Sequence, residues 1–182
     1  MEKRIILAGF GGQGILSAGK IVAEAGLIEG KEVSWFPSYG PEMRGGTANC
    51  GVIVSDRPIG SPVLDVCDVL IALNTPSLRK FESRVAPGGV IIVDRSLVPE
   101  ETARTDVAFY PLEASRIASE KGNMAFATVM LLGCLSSATG CFSPESFEKA
   151  LRLTLPERHH HFIPVELDVF RQGAEAVRPG NE

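Results

Sequence analysis

The chain has 182 residues, of which 45% are hydrophobic and 22% are charged, and its formal net charge is −4. This length lies near the upper end for one domain, and this balance is typical of a globular protein. The negative charge argues against nucleic acid as the main partner, because phosphate contacts need a basic surface. No apolar run reaches the roughly 20 residues that cross a bilayer. The sequence therefore predicts a cytoplasmic protein without membrane contact.

The metal-ligating residue types show no convincing pattern. No CxxC pair is formed by the four cysteines, Cys50, Cys67, Cys134 and Cys141. We therefore expect reduced, mostly buried thiols and no zinc or iron–sulfur site. His159, His160 and His161 follow one another, and neighbours in sequence rarely converge on one ion. We predict that they lie in a surface loop and that this chain binds no metal.

Strands alternate with helices in the N-terminal two thirds of the chain. Residues 4–8 predict a buried strand, 15–28 a helix that is apolar on nearly all sides, and 32–36 a second strand, together a βαβ unit. Asn74 or Thr75 is predicted to cap a helix that runs to about Val85. Further strands are predicted at residues 47–54, 69–73, 90–94 and 107–110. Residues 35 and 47 are too close for a helical crossover, so strands there are expected to pair antiparallel.

The C-terminal part, from about residue 111 to 176, is predicted to be helical. Its helices are expected at residues 111–121, 125–138, 143–153 and 164–176. No repeat or linker divides the chain, so residues 1–182 are predicted to form a single domain. The alternation of strands and helices predicts an α/β three-layer sandwich. Its sheet should be mostly parallel, with the N-terminal βαβ unit and one or two antiparallel strands.

Gly9, Gly11 and Gly14 match G-x-G-x-x-G between the first predicted strand and the first predicted helix. Glycines let a backbone approach a phosphate, and a helix N-terminus supplies N–H donors. NAD or FAD would also need an acidic residue at the end of the second strand, whereas Glu32 lies at its beginning. We therefore favour another phosphate or anion, with the candidate contacts Gly9, Gly11, Gly12, Gln13, Gly14 and Ser17. The alternative is that the glycines only permit a tight turn and close packing of helix on sheet.

The segment 37–46, PSYGPEMRGG, is predicted to be a loop because it has two prolines and three glycines. Arg44 can present its guanidinium to a phosphate or carboxylate in bidentate fashion. If the next strand returns beside the first two, this loop and the glycine turn share the carboxyl edge of the sheet, where ligands bind. The alternative is a solvated hairpin loop in which Arg44 pairs with Glu42. The candidate ligand contacts of the loop are Tyr39, Met43, Arg44, Gly45 and Gly46.

The segments GFGGQG and SYGPEMRGGTANCGVIVSD resemble the gamma subunit of 2-oxoacid:ferredoxin oxidoreductases, the pyruvate/ketoisovalerate oxidoreductase gamma domain. The resemblance continues through Gly60-Ser61-Pro62, the strand DVLIALN and the helix with Leu131-Leu132-Gly133, to about residue 155. The residues of the loop resemble the branch that acts on 2-oxoglutarate or branched-chain 2-oxoacids.

The resemblance implies an enzyme that decarboxylates a 2-oxoacid oxidatively, joins the acyl group to coenzyme A and passes electrons to ferredoxin. Thiamine diphosphate, magnesium and iron–sulfur clusters would be held by partners, a thiamine-binding pair and a ferredoxin-like subunit. This chain would carry no catalytic residue, would be inactive alone, and would serve assembly and, through the glycine turn and Arg44, coenzyme A binding. Isolated, it is expected to form a homodimer. The alternatives are a free-standing Rossmann-type nucleotide-binding protein and a pure assembly module.

Overall fold

The computed structural model describes residues 1–38 and 47–177. Its strands are β1 (Glu2–Phe10), β2 (Glu32–Ser38), β3 (Thr47–Ser55), β4 (Cys67–Ala72), β5 (Val85–Asp94) and β6 (Ala108–Leu112). Within the described residues they form one six-stranded sheet in the order β2-β3-β1-β4-β5-β6. β3 is antiparallel to both of its neighbours, and the other pairs are parallel. The predicted mostly parallel sheet is confirmed, with β3 as its antiparallel strand.

The N-terminal βαβ unit is split by β3. Glu2 of β1 and Glu32 of β2 both stand opposite Ser55, so β3 lies between two strands that run parallel to each other. The connecting helix, α1, spans Ile15–Ile28, the range that the sequence predicts. Gly30 follows this helix with a φ of 72°. This left-handed conformation is one that glycine adopts at little cost, and it ends the helix.

Helices cover both faces of the sheet, as the predicted three-layer sandwich requires. The helices after α1 are α2 (Thr75–Phe81), α3 (Ala114–Glu120), α4 (Ala125–Thr139), α5 (Pro144–Thr154) and α6 (Ile163–Glu175). One face packs against α1 and α4, and α3, α5 and α6 pack on these two helices in the same larger apolar cluster. The other face packs against α2 together with Leu64 and Val98. None of the helices in residues 1–38 and 47–177 combines the length and apolarity that crossing a bilayer requires.

Three predicted elements differ from the structure. Pro111 and Leu112 extend β6 by pairing with Val93 and Asp94, so α3 begins only at Ala114. The helix predicted to reach Val85 ends at Phe81 and is followed by a 3-10 helix, Glu82–Arg84, because β5 already begins at Val85. The three histidines lie in a 3-10 helix, Glu157–Phe162, rather than in an irregular loop. In each case, tertiary pairing or packing overrides the local signal.

The helices α4 and α6 cross with their backbones in contact. A Cβ atom added to Gly133 of α4 would lie 2.8 Å from the carbonyl carbon of Phe170 in α6. A Cβ atom added to Gly173 of α6 would likewise lie 2.8 Å from the carbonyl carbon of Met130 in α4. Phe170 also stacks on Phe147 of α5, with ring centroids 4.0 Å apart. The small residues therefore fix how close α6 comes to the sheet-covering helix α4.

The outer strands of the sheet are β2 and β6. Each contains a proline within its paired stretch. Pro37 of β2 stands opposite Cys50, and Pro111 of β6 stands opposite Val93. Proline has no N–H group to donate, so within sheets it is tolerated at edge positions such as these.

Candidate functional site

The glycine turn, residues 9–14, joins β1 to α1 at the carboxyl edge of the sheet. Gly12 and Gly14 have φ values of 89° and 76°, in the left-handed region that glycine occupies readily. The first N–H groups of any helix have no acceptor within the helix itself. In α1 the preceding residue, Gly14, offers them no side-chain acceptor either. A Cβ atom added to Gly11 or Gly12 would meet no atom within 4 Å. The turn therefore presents open backbone next to a helix N-terminus.

Gln13 holds this turn together. Its Oε1 accepts a hydrogen bond from the Phe10 N–H at 2.6 Å, and its Nε2 donates to the Leu73 carbonyl oxygen at 3.3 Å. Its own carbonyl oxygen accepts a hydrogen bond from Thr128 Oγ1 at 3.0 Å. A Cβ atom on Gly9 would lie 2.6 Å from Gln13 Oε1, so close packing also requires that glycine. Gln13 and Gly9 thus have structural roles, and a ligand contact by either stays a prediction.

A cavity of about 320 Å³ lies beside the glycine turn, between α1, α4 and α6. This volume falls at the lower end of the roughly 300–1,000 Å³ of small-molecule sites. Gly12, Gln13, Gly14 and Ser17 form one part of the lining, and Glu166 belongs to another. Apolar side chains make up most of the rest. The structure therefore places the candidate Ser17 in the same cavity wall as the glycine turn.

Glu166 of α6 is the unusual polar group of this cavity. The residue is only 5% exposed, and its Oε2 atom accepts no hydrogen bond within the described residues. Among the described residues that line the cavity there is no lysine, arginine or histidine. Burial without a charged partner raises the pKa of Glu166 to about 7. The sequence gives no signal for this residue, because a single glutamate in an amphipathic helix belongs to no motif.

The loop candidates Tyr39, Met43, Arg44, Gly45 and Gly46 lie outside the described residues. The strands that flank them are described. Ser38, the last residue of β2, stands opposite Asn49 of β3. Thr47, the first residue of β3, stands opposite Phe10 of the glycine turn. Both ends of the segment therefore lie at the sheet edge that carries the glycine turn, as expected if the third strand returns beside the first.

Asp94 stabilises another strand-to-helix connection at this edge, the one between β5 and α3. The residue is fully buried at the end of β5. Its Oδ1 accepts hydrogen bonds from the N–H groups of Ser96 and Ser115, and its Oδ2 accepts one from Ser115 Oγ at 2.5 Å. These bonds tie the loop after β5 to the first turn of α3. Asp94 therefore has a structural role here.

The predicted buried thiols are confirmed, since all four cysteines are free and buried. Burial raises the pKa of Cys50, Cys67 and Cys134 to about 12, so these thiols stay protonated. His160 Nε2 lies 3.0 Å from the carbonyl oxygen of Leu155, the residue that follows α5. Within residues 1–38 and 47–177, no three histidine, cysteine or acidic side chains come together as a metal site.

Sequence comparison places relatives along nearly the whole chain. Residues 4–176 match the family model described as pyruvate ferredoxin/flavodoxin oxidoreductase. The ketoisovalerate oxidoreductase subunit VorA of Methanothermobacter thermautotrophicus is 40% identical over 100% of this chain, which spans only 38% of VorA. The 2-oxoglutarate synthase subunit KorC of Methanocaldococcus jannaschii is 39% identical, with 86% of each chain covered.

Solved structures agree with this relationship. The gamma subunit of a keto/oxoacid ferredoxin oxidoreductase from Geobacter sulfurreducens superposes with a TM-score of 0.85 at 32% identity, covering 97% of this chain and 96% of that one. A further match is a 2-oxoglutarate:ferredoxin oxidoreductase from Magnetococcus marinus, solved with 2-oxoglutarate, coenzyme A and succinyl-CoA. It superposes with a TM-score of 0.86 at 26% identity, and the match covers 98% of this chain and 32% of that chain. The resemblance found in the sequence is confirmed, and the chain belongs to the pyruvate ferredoxin/flavodoxin oxidoreductase family.

Proposed function

We propose that this chain is the gamma-type subunit of a 2-oxoacid:ferredoxin oxidoreductase, which converts a 2-oxoacid to an acyl-coenzyme A and reduces ferredoxin. The match to the family over residues 4–176, with the fold of a gamma subunit at a TM-score of 0.85, carries this proposal. Thiamine diphosphate, magnesium and iron–sulfur clusters are assigned to partner subunits. In support, the four cysteines of this chain are free and buried. The chain alone is expected to be inactive.

A pull-down of the tagged chain from its native cells tests the subunit assignment. We expect recovery of a thiamine-binding subunit and a cysteine-rich, ferredoxin-like subunit, identified by mass spectrometry. Their copurification should survive a salt wash if apolar surface dominates the interface, because salt screens exposed charges more than it weakens apolar burial. Recovery of the chain alone, or with unrelated proteins, would overturn the assignment and direct attention to free nucleotides.

We further propose that the glycine turn and the Arg44 loop contact coenzyme A. Three features support this: the uncapped start of α1, the open space at Gly11 and Gly12, and the position of both loop flanks at the same sheet edge. Backbone N–H groups at a helix N-terminus and an arginine guanidinium are both suited to phosphate oxygens. The relative from Magnetococcus marinus, solved with coenzyme A, is consistent with a ligand of this class.

The substitution Arg44→Ala in the assembled enzyme is expected to raise the KM for coenzyme A about tenfold or more, the loss of one charge-assisted contact. The KM for the 2-oxoacid should stay unchanged. Arg57→Ala is the matched control, since this exposed arginine follows the opposite end of β3. Steady-state assays with varied coenzyme A measure both. An unchanged KM for coenzyme A would favour the pure assembly module, in which both loops face protein.

In isolation, the chain is proposed to form a homodimer through apolar side chains that partner subunits would otherwise cover. Phe10 and Phe36, near the ends of β1 and β2, are 43% and 49% exposed. Exposed apolar surface of this kind favours association. Sedimentation that shows only monomer at high concentration would contradict this.

A cytoplasmic location is part of the same proposal, supported by the four free thiols.

A further inference from the structure

Most polar groups in the wall of the cavity are already satisfied by the protein. Thr128 Oγ1 donates to the Gln13 carbonyl oxygen, and Ser115 Oγ donates to Asp94. Glu166 is different, because its buried Oε2 has no partner within the described residues. Ser17 also lines the cavity, and it is an exposed residue. Buried polar groups in native proteins are nearly always hydrogen-bonded, so a bound molecule that donates to the carboxyl of Glu166 would supply the partner that the described residues do not.

The carboxyl of Glu166 selects for a cationic donor. It lies among apolar side chains, and no basic side chain in residues 1–38 and 47–177 lines the cavity with it. A carboxylate kept out of water is strongly stabilised by an opposite charge at hydrogen-bond distance, more than by a neutral donor. An ammonium group supplies both the charge and the N–H donors. The apolar remainder of the lining then suits an aliphatic rather than a polar body.

The opposite polarity is found at the glycine turn. Gly12 and Gly14 line the cavity together with Ser17 in the first turn of α1. The helix begins there without a side-chain cap, so its first N–H groups and its dipole favour a negative charge. The same cavity thus offers an acceptor for a cation on α6, donors for an anion at α1, and apolar side chains in its wall.

We propose that this cavity binds an aliphatic α-amino acid. The ammonium pairs with the carboxylate of Glu166, the carboxylate receives hydrogen bonds from the start of α1 and from Ser17, and the side chain packs on the apolar lining. The volume of about 320 Å³ is sufficient for a molecule of the size of leucine. Because an amino acid and coenzyme A would both use Gly12 and Gly14, they should exclude one another; this last clause alone rests on the proposed function.

Calorimetric titration of the full chain with L-leucine, without coenzyme A, tests the inference independently of the proposed function. Two analogues each remove one charge: isocaproate lacks the ammonium, and isopentylamine lacks the carboxylate. We expect each to bind about tenfold or more weakly than leucine, as the loss of one charge-assisted interaction predicts. No binding of leucine at millimolar concentration would overturn the proposal, as would an analogue that binds as tightly as leucine.

The substitution Glu166→Gln is expected to weaken leucine binding by about tenfold or more, while isocaproate binding should change little. Glu157→Gln is the matched control, because it removes the same charge from an exposed side chain just before α6. Circular dichroism of both variants verifies that they fold. Equal affinity of wild type and Glu166→Gln for leucine would overturn the assignment of the ammonium to this carboxyl.

The pH profile of binding gives a second readout. Leucine affinity should rise between pH 6 and pH 8 as Glu166 loses its proton, and Glu166→Gln should abolish this rise. The elements packed against α6 carry the following titratable groups: Cys134 on α4, Glu145, Glu148, Lys149 and Arg152 on α5, and Glu157, Arg158, His159, His160 and His161 in the 3-10 helix before α6. None of them is among the described residues that line the cavity with Glu166. A profile that is the same in the wild type and the variant would contradict the proposal.

Discussion

The substitution Gly133→Ala is expected to destabilise the protein by about 3 kcal/mol or more, because α4 and α6 cannot keep their present separation. The added methyl group would lie 2.8 Å from the carbonyl carbon of Phe170 and 3.0 Å from the backbone nitrogen of Ala174. Both neighbours are backbone atoms and cannot rotate aside. For a chain of this size the loss corresponds to a fall in Tm of roughly 6–12 °C, which thermal unfolding measures.

Gly60→Ala is the control for this substitution. A Cβ atom at this position would meet no atom within 4 Å, and the backbone there has no left-handed φ. We expect its Tm to match the wild type, because alanine replaces glycine without strain. If Gly133→Ala were as stable as Gly60→Ala, α4 and α6 could not be in the backbone contact described above.

The substitution Glu166→Gln is expected to change how stability depends on pH. Burial raises the pKa of this carboxyl from its ordinary value of 4.5 to about 7 in the folded protein. Between these values the folded state holds a proton that the unfolded state has lost. The protonated carboxyl therefore makes its full contribution to the stability of the wild type below about pH 4.5, and this contribution is lost as the pH rises through about 7. Glutamine carries no titrating proton, so the variant lacks this loss.

Urea unfolding of wild type and Glu166→Gln from pH 5 to pH 8 measures the effect. The difference in the free energy of unfolding, variant minus wild type, should increase by up to roughly 3 kcal/mol from pH 5 to pH 8. Any fixed cost of burying the amide is the same at each pH and cancels from this change. Glu157→Gln, at an exposed position, is again the control. A constant difference between Glu166→Gln and wild type would show that the carboxyl does not titrate in this window.

The elements with strong local signals could be predicted from the sequence. α1 has the predicted range because an apolar stretch lies between Gly14 and Gly30, both of which adopt left-handed backbone conformations. The antiparallel pairing around residues 37–46 follows from the short distance along the chain between β2 and β3. The family resemblance likewise depends on local motifs, and it is confirmed over residues 4–176.

Features that depend on long-range contacts could not be predicted. The insertion of β3 between β1 and β2 follows from sheet pairing, which no local pattern specifies. Gln13 contacts Leu73 and Thr128, which are 60 and 115 residues away, so its role in the turn has no sequence signature. The surroundings of Glu166, in which the described part of the chain places no lysine, arginine or histidine in the cavity wall, likewise depend on which side chains the neighbouring helices present.

The prolines of the two outer strands restrict how this sheet can grow. Pro37 and Pro111 each remove one N–H donor from an outer strand. A strand of another molecule that paired with β2 or β6 would therefore form an incomplete series of backbone hydrogen bonds. The addition of further strands at either edge, the route to fibrils, is thereby disfavoured for this sheet. We expect the association with other subunits proposed above to use side-chain surfaces instead of strand pairing.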